Sequence, residues 1–414
     1  MSDAFLHGVE VLEIDGGARA IRAIATSVIG IVGTAPFADV AKFPLDTPVL
    51  ITSPAEAAAL LATFDPVDDV AADRGTLVSG VSAIFNQAQP PIVIVRVDVA
   101  AAGVNQLTNQ LAEVTGEAVA STGVYALLAA SGVVGITPRI LCAPGHTHQV
   151  PQAGDPLADV ANPVAIALKA VADKLRAVAV VDGPNDTNAD ALAKATREGG
   201  QRVYFVDPAV KHLSPAGAIV TGPASGFVAG VIARTDEERG FWWSPSNQPI
   251  NGVLGVGRLI DFSLSDPDAA TNLLNEAGVA TIIAQGGYRL WGNRTGATDD
   301  AWAFLSVRRT ADVIHDAVER SYLWAIDRPQ SAQLLEDVVS SVQAYLRGLK
   351  ARGAILGGKA WLDPDLNTEA SLKAGRAYVN FDFEPPAPLE RLTFRAHRED
   401  AYFTELVTLV TGQN

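Results

Sequence analysis

The middle third of the chain alternates short, continuously apolar runs with longer amphipathic ones, and few folds tolerate that pattern. RILCAPG, AVAVVDGP and RVYFVDP read as strands, and VYALLAA just upstream reads as another. A strand that is apolar at every position, rather than every second one, has no face to give to water, so its sheet must be covered on both sides. The segments between them, ANPVAIALKAVADKLR and NADALAKATREGG, keep helical spacing. They supply both the cover and the crossovers that parallel strands require. The expectation is an α/β domain with a mainly parallel sheet.

On the amino-terminal side, VIGIVGTAP and PVLIT read as strands. Ser53-Pro54-Ala55-Glu56 then opens a helix, with serine at the cap and proline in the first turn. TLVSGVSAIFNQ is helix-like and PIVIVRV is a buried strand. Downstream come the strand VATIIAQ, the motif GGYRLWGNRT, and WAFLSVRRTADVIHDAVERSYLWAID, read as a strand followed by a helix. In SAQLLEDVVSSVQAYLRGLKARG, Leu334, Leu335, Val338, Val339, Val342, Leu346 and Leu349 keep helical spacing on one face. The last segment reads as alternating strands around a Pro-rich break. The expected division is an extended arm at 1–20, an α/β part at 21–100, a central α/β domain at 101–285, a C-terminal α+β domain at 286–396 and a second arm at 397–414.

Composition narrows the function classes. The 414 residues carry a net charge of −15, with 46 acidic against 31 basic residues, so a direct nucleic-acid partner is not expected. The single cysteine, Cys142, lies in an apolar run and reads as a small buried thiol, which excludes an internal disulfide and fits a reducing compartment. No basic segment followed by an apolar core opens the chain, and no apolar run reaches the ~18 residues of a membrane span. Neither a signal peptide nor membrane insertion is expected.

Asp98, His146 and Ser225 occur in the chain order of a subtilisin-type triad, and GHTH and PASGFVAG echo the surroundings of its histidine and serine. Order alone does not make a triad, and no helical pattern follows His146 to orient its ring. The alternative reading makes Ser225 a helix N-cap and His146 a loop residue. His146 and His148, with Asp155 and Asp159 nearby, match no known zinc spacing and read as solvated loop side chains. Gly252, Gly255 and Gly257 lack the following helix and lysine of a phosphate loop. No catalytic residue, cofactor or metal is therefore expected. In GGYRLWGNRT the glycines permit tight turns, Trp291 offers a large buried anchor beside Asn293, and Arg294 carries a donor fork. These are tools for fixing one segment to another, and Trp291 and Arg294 are expected at the junction with the C-terminal domain.

HGVEVLEIDGGARAIRAIATSVIGIVGTAP, PASGFVAGVIARTDEERGFWWSPSN, RLWGNRT and SVRRTADVIHDAVER, in that order, resemble the tail sheath proteins of contractile phage tails and R-type bacteriocins. The resemblance implies a central subtilisin-like domain used as structure. It implies hexameric rings stacked as a helical sheath around a tail tube, with baseplate and tail terminator proteins at its ends, in a virion tail assembled in the host cytoplasm. Contraction of that sleeve drives the tube through the target envelope. A subtilisin-type serine hydrolase and an inert surface-layer protein remain the alternatives. Under the sheath reading the basic helix end, Arg347, Lys350 and Arg352, is expected to face the tube. The alternating Val9, Val11 and Ile14 and the apolar Tyr402, Leu406, Val407, Leu409 and Val410 are expected to be strands donated to neighbouring subunits.

Overall fold

The computed structural model describes residues 21, 25–65, 68–69, 73–153, 158–214 and 217–412. In chain order the first strands are β1 (Ile29–Thr34), β2 (Val49–Ile51), β3 (Ile92–Val97), β4 (Ile140–Cys142), β5 (Gln152–Ala153) and β6 (Ala158–Asp159). They are followed by β7 (Val178–Asp182), β8 (Val203–Val206), β9 (Val210–Leu213), β10 (Ile219–Gly222) and β11 (Val253–Val256). The last are β12 (Val279–Ala284), β13 (Tyr288–Trp291), β14 (Gly357–Leu362) and β15 (Val379–Glu384). Eight of them form one sheet in the order β13-β12-β8-β7-β4-β1-β3-β2, parallel except for its two edge strands. The sheet draws on residues from both sides of position 100, so the segments expected at 21–100 and 101–285 share it.

Each central strand is buried at every position and divides its side chains between two cores. In β3, Ile92 and Ile94 point to one core and Val93 and Val95 to the other. The first core is closed by helices α2 (Thr76–Phe85) and α7 (Ser225–Glu238), through Leu77, Val81, Val228 and Ile232. The second is closed by α3 (Gln106–Thr115), α5 (Pro163–Leu175) and α6 (Asn188–Glu198). Asn162 starts α5 by accepting from the amides of Val164 and Ala165, with Pro163 at the first helical position. Ser53 caps the short helix α1 (Pro54–Ala57) by accepting from the Glu56 amide, as its sequence predicts.

Two expected strands are absent. VYALLAA lies in a 3₁₀ helix over Gly123–Ala129 that runs into α4 (Ala130–Val134), packed on the second core through Val124 and Leu127. Periodicity cannot separate a buried strand from a buried helical turn in so short a run. Of WAFL, Trp302 ends a 3₁₀ turn over Asp300–Trp302, Phe304 makes a single antiparallel bridge to Arg294, and Leu305 opens a 17-residue helix, Leu305–Ser321.

That helix leads to the C-terminal unit, in which a 20-residue helix, Ala332–Ala351, packs on the antiparallel pair β14–β15. Val342, Leu346, Leu349 and Ile355 form its core, together with Ile314 of the preceding helix. After Glu384 the Pro-rich stretch carries no second strand. From Leu389 to Gly412 every residue is exposed.

Candidate functional site

Parallel strands gather side chains at their two ends, and this sheet uses both. At the carboxyl end, Asp182 closes β7 and meets Ser225, the first residue of α7. The Ser225 amide donates to Asp182 Oδ1 at 2.8 Å and its hydroxyl to Oδ2 at 2.6 Å. Thr147 Oγ1 donates to Asp182 Oδ2 at 3.1 Å and accepts from the Asp182 amide at 3.0 Å. Burial pushes the Asp182 carboxyl up from the usual carboxylate range, while the bonds from Ser225 pull it back. This is a carboxylate capping a helix N-terminus from a distance.

The three residues in triad order are not brought together. Ser225 is fully buried and bonded to Asp182 with no imidazole between them, and it is the first helical residue rather than the N-cap, which is Ala224. His146 is buried, not solvated, and its Nε2 lies 3.0 Å from Thr76 Oγ1. Burial, then His148, lowers its pKa to about 4. Asp98 is exposed beyond β3 and accepts from the Val99 amide at 2.8 Å. A serine without access or an adjacent base has no means of attack. Sequence reasoning missed Asp182, although an Asp closing an apolar parallel strand, VVDGP, was there to be read.

The other candidates also resolve into structure. His148 is exposed, and Asp159 takes Gln152 at 3.3 Å and Arg197 at 3.6 Å; Asp155 lies outside the described residues. Among the described residues no group of three His, Cys, Asp or Glu side chains is placed to hold a metal. Gly255 sits within strand β11, flanked by Gly252 and Gly257. Cys142 is fully buried, and that burial pushes its thiol up.

At the amino end of the sheet lies a feature that sequence reasoning did not assign. Arg139 immediately precedes β4, Arg176 lies two residues before β7, and Arg202 immediately precedes β8. These three strands are adjacent and about 5 Å apart, so the three arginines stand in a row across this end of the sheet. Across the row runs the helix of VRRTADVIHDAVER. Its Asp312 and Asp316 are one turn apart, about 6 Å along the axis. Asp312 takes Arg202 Nη2 at 2.7 Å and Arg308 Nη2 at 2.9 Å. Asp316 pairs with Arg139, with Arg176 at 3.4 Å and with Arg320 at 3.0 Å. Arg309 adds a two-pronged contact to Asp236 of α7, at 2.6 and 2.5 Å, and bonds the Thr26 carbonyl at 3.1 Å. Most of these groups are buried, so each needs its partner. The repeated arrangement of an arginine ahead of an apolar strand, with carboxylates four apart on one helix, was the available signal.

The motif RLWGNRT divides between the sheet edge and the junction. Trp291 is half-buried and sets its ring edge-on to Phe262 at 5.3 Å, so it is not the buried anchor expected across the domain boundary. Gly292 has φ +137, and a Cβ there would come within 2.5 Å of Asn275 Oδ1 and 2.8 Å of Ala280 Cα, so only glycine fits. The Asn293 carbonyl accepts from the Leu305 amide at 2.9 Å and ties the motif to the long helix. Arg294 grips Glu390 at 2.8 and 2.6 Å. It thereby joins the sheet edge to the start of the exposed C-terminal extension.

That extension departs from its expected form. Ala401–Thr411 is a helix, not a strand, and Tyr402, Leu406, Val407, Leu409 and Val410 are all exposed on it. A strand without a neighbour leaves its amides and carbonyls unpaired, whereas a helix pairs them internally. Within one chain the segment has no ladder to join. Val9, Val11 and Ile14 lie outside the described residues. Arg347, Lys350 and Arg352 are exposed at the end of Ala332–Ala351, and the Arg352 guanidinium stands 6.0 Å from the Trp242 ring centre.

Two family models match the chain, the phage tail sheath protein central domain over residues 119–296 and the phage tail sheath C-terminal domain over 297–398. A prophage major tail sheath protein assigned in Pseudomonas aeruginosa (strain UCBPP-PA14) is 38% identical over 98% of this chain and 99% of its own. The tail sheath protein of Escherichia phage P2 is 34% identical, with all of both chains covered. Among solved structures, the helical sheath of the anti-feeding prophage in its contracted state superposes with a TM-score of 0.68 at 20% identity, covering 96% of this chain and all of that one. At that identity the likeness is one of fold.

Proposed function

The chain belongs to the phage tail sheath family, and from that premise we propose that it polymerises as stacked hexameric rings around a tail tube and contracts to drive the tube through a cell envelope during genome delivery. The observation that carries this reading is the exposed extension after Glu390. It holds Leu392, Phe394, Tyr402, Leu406, Leu409 and Val410 away from the body that made it. Apolar side chains in such number outside a core mark a surface that another molecule covers. A second copy of the chain is the partner that every subunit of a homopolymer has at hand. Assembly therefore links each subunit to its neighbours through its C-terminal extension, and the amino-terminal segment with Val9, Val11 and Ile14 is proposed as a second link.

The remaining parts fit that role. Arg139, Arg176, Arg202 and Arg309 clamp the C-terminal unit to the sheet, so motion between subunits is taken up in the extensions rather than inside the body. Arg347, Lys350 and Arg352 offer the tube a basic surface of screened, releasable contacts. Baseplate and terminator proteins would close the sleeve at its ends, and assembly would take place in the host cytoplasm before the tail is released. No catalytic step is needed, because the work of contraction comes from relaxation of a metastable assembly. The buried Ser225 and neutral His146 support a structural role over the hydrolase alternative. Removing residues 1–16, or those after Ala401, tests the reading: each truncated chain is expected to remain a folded monomer and to form no sleeve. Normal tubes from both would refute the proposed links.

A further inference from the structure

The C-terminal extension leaves one unit of the molecule and is fastened to the other. It follows β15 of the C-terminal unit through EPPAPLE, residues 384–390. At the near end, Phe381 and Phe383 of β15 set their rings against His315, in the second half of the helix Leu305–Ser321, at 6.1 and 5.7 Å. At the far end, Glu390 receives both prongs of Arg294, at 2.8 and 2.6 Å. Arg294 stands at the opposite end of that helix, bridged to its cap residue Phe304 with the guanidinium 5.3 Å from the Phe304 ring centre. Among the described residues from Pro385 to Arg398, Glu390 alone hydrogen-bonds to the rest of the chain.

The distances between these two anchor points agree. From Phe304 to His315 is about 16 Å along the helix, at 1.5 Å per residue. From Glu384 to Glu390 an extended proline-rich chain reaches roughly 19 Å, at about 3.1 Å per residue. The strap therefore runs back along the helix with little slack. Pro385 is buried and Pro386 and Pro388 are half-buried, so it lies against the body instead of looping into solvent. Three prolines make it stiff, and a stiff strap held at both ends has one direction. Without the far anchor the chain would be free to swing from Glu384. With it, freedom begins only at Arg391, and at the edge of the large sheet instead of at β15. We propose that Arg294 and Glu390 form a positioning latch, which sets the direction in which the extension leaves each subunit and places the pivot between subunits after Glu390. Holding the strap in advance reduces the ordering that assembly must impose on the extension. This rests on the sheath reading and adds where its moving joint begins.

Spin labels and charge exchange in the full-length chain test it. Labels on Lys211→Cys and Thr393→Cys, both exposed, report the direction of the extension in the monomer, and the native Cys142 is too buried to be labelled. A narrow distance distribution is expected, broadening by about twofold with Glu390→Ala as the strap comes free. Glu390→Ala and Arg294→Ala should each raise the protein concentration needed for sleeves on tubes by roughly fivefold. Arg294→Glu together with Glu390→Arg should restore both readouts, which either reversal alone should not. Glu390 is exposed, so Glu390→Ala should leave the thermal melt of the monomer unchanged and decides the matter even where Arg294→Ala disturbs the fold. Equal distributions with and without Glu390→Ala would show that the pair sets no direction. A broadened distribution with unaltered assembly would show that the direction plays no part in it. Either result overturns the latch and leaves the sheath reading standing. Failure of the unsubstituted chain to form sleeves at all would remove that reading, and the pivot with it.

Discussion

Asp312→Ala should damage the protein far more than its place in a charged helical pattern suggests. The carboxylate is buried and serves two buried guanidinium groups, Arg202 at 2.7 Å and Arg308 at 2.9 Å. Removing it leaves Arg202 with Asp173 at 3.3 Å, whose side chain is largely exposed, and the Ala177 carbonyl at 3.5 Å, and leaves Arg308 against the Trp302 ring. Breaking a buried pair on one side typically costs about 3–5 kcal/mol. A loss of 1 kcal/mol moves Tm by roughly 2–4 °C in a unit of this size, so a fall of about 6–20 °C is expected. Calorimetry on the monomer reads this directly, and hydrogen exchange should show the helix Leu305–Ser321 opening before the central strands. Replacing Arg202, Arg308 and Asp312 together by apolar residues of similar volume should recover much of the loss, because no charge is then stranded. A shift for Asp312→Ala below about 1 kcal/mol, the range of an exposed pair, would show that the seam does not clamp the two units.

Three further outcomes follow from side chains already placed. His146, held near pKa 4 by burial, is neutral in the fold and gains a proton more readily when unfolded, so its contribution is full above the unfolded value near 6.5 and is lost as pH falls toward 4. The loss is about 3 kcal/mol, and urea unfolding of the protein and of His146→Asn between pH 7 and 4 should converge by that amount; parallel curves would refute it. Trp291→Ala should cost about 1–2 kcal/mol, below the ~3–5 of a fully buried tryptophan, because the ring is half-exposed; an unfolded product would show that the contact with Phe262 is worth more than its burial. Changing Arg347, Lys350 and Arg352 to Glu should leave the monomer's melt within about 0.5 kcal/mol while abolishing sleeve formation on tubes; unaltered assembly across salt concentrations would exclude a tube-facing role.

Most of the layered architecture was legible because it is written in local patterns. Apolar runs such as IVIVRV and VAVVD gave the doubly covered strands, and Ser53 sits where a helix start was marked. VYALLAA failed because seven apolar residues satisfy a buried 3₁₀ helix as well as a strand. The tail is a different case: strand preference expresses itself only where a ladder exists, the single chain offers Tyr402–Val410 none, and the strand expected there belongs to a contact with a neighbouring copy. The charged seam was hidden because its members are spread from Arg139 to Arg320, and only the order of strands brings them together. Ser225 and Asp182 show the same limit, since 43 residues separate two groups 2.6 Å apart.

Electron microscopy of the purified full-length chain mixed with its tail tube protein bears most directly on the central claim. The account predicts helical sleeves of six-fold symmetry around the tubes, which shorten and widen when destabilised and keep their subunit-to-subunit connections in both states. Bare tubes beside dispersed monomers, at concentrations where the tube itself is intact, would contradict it.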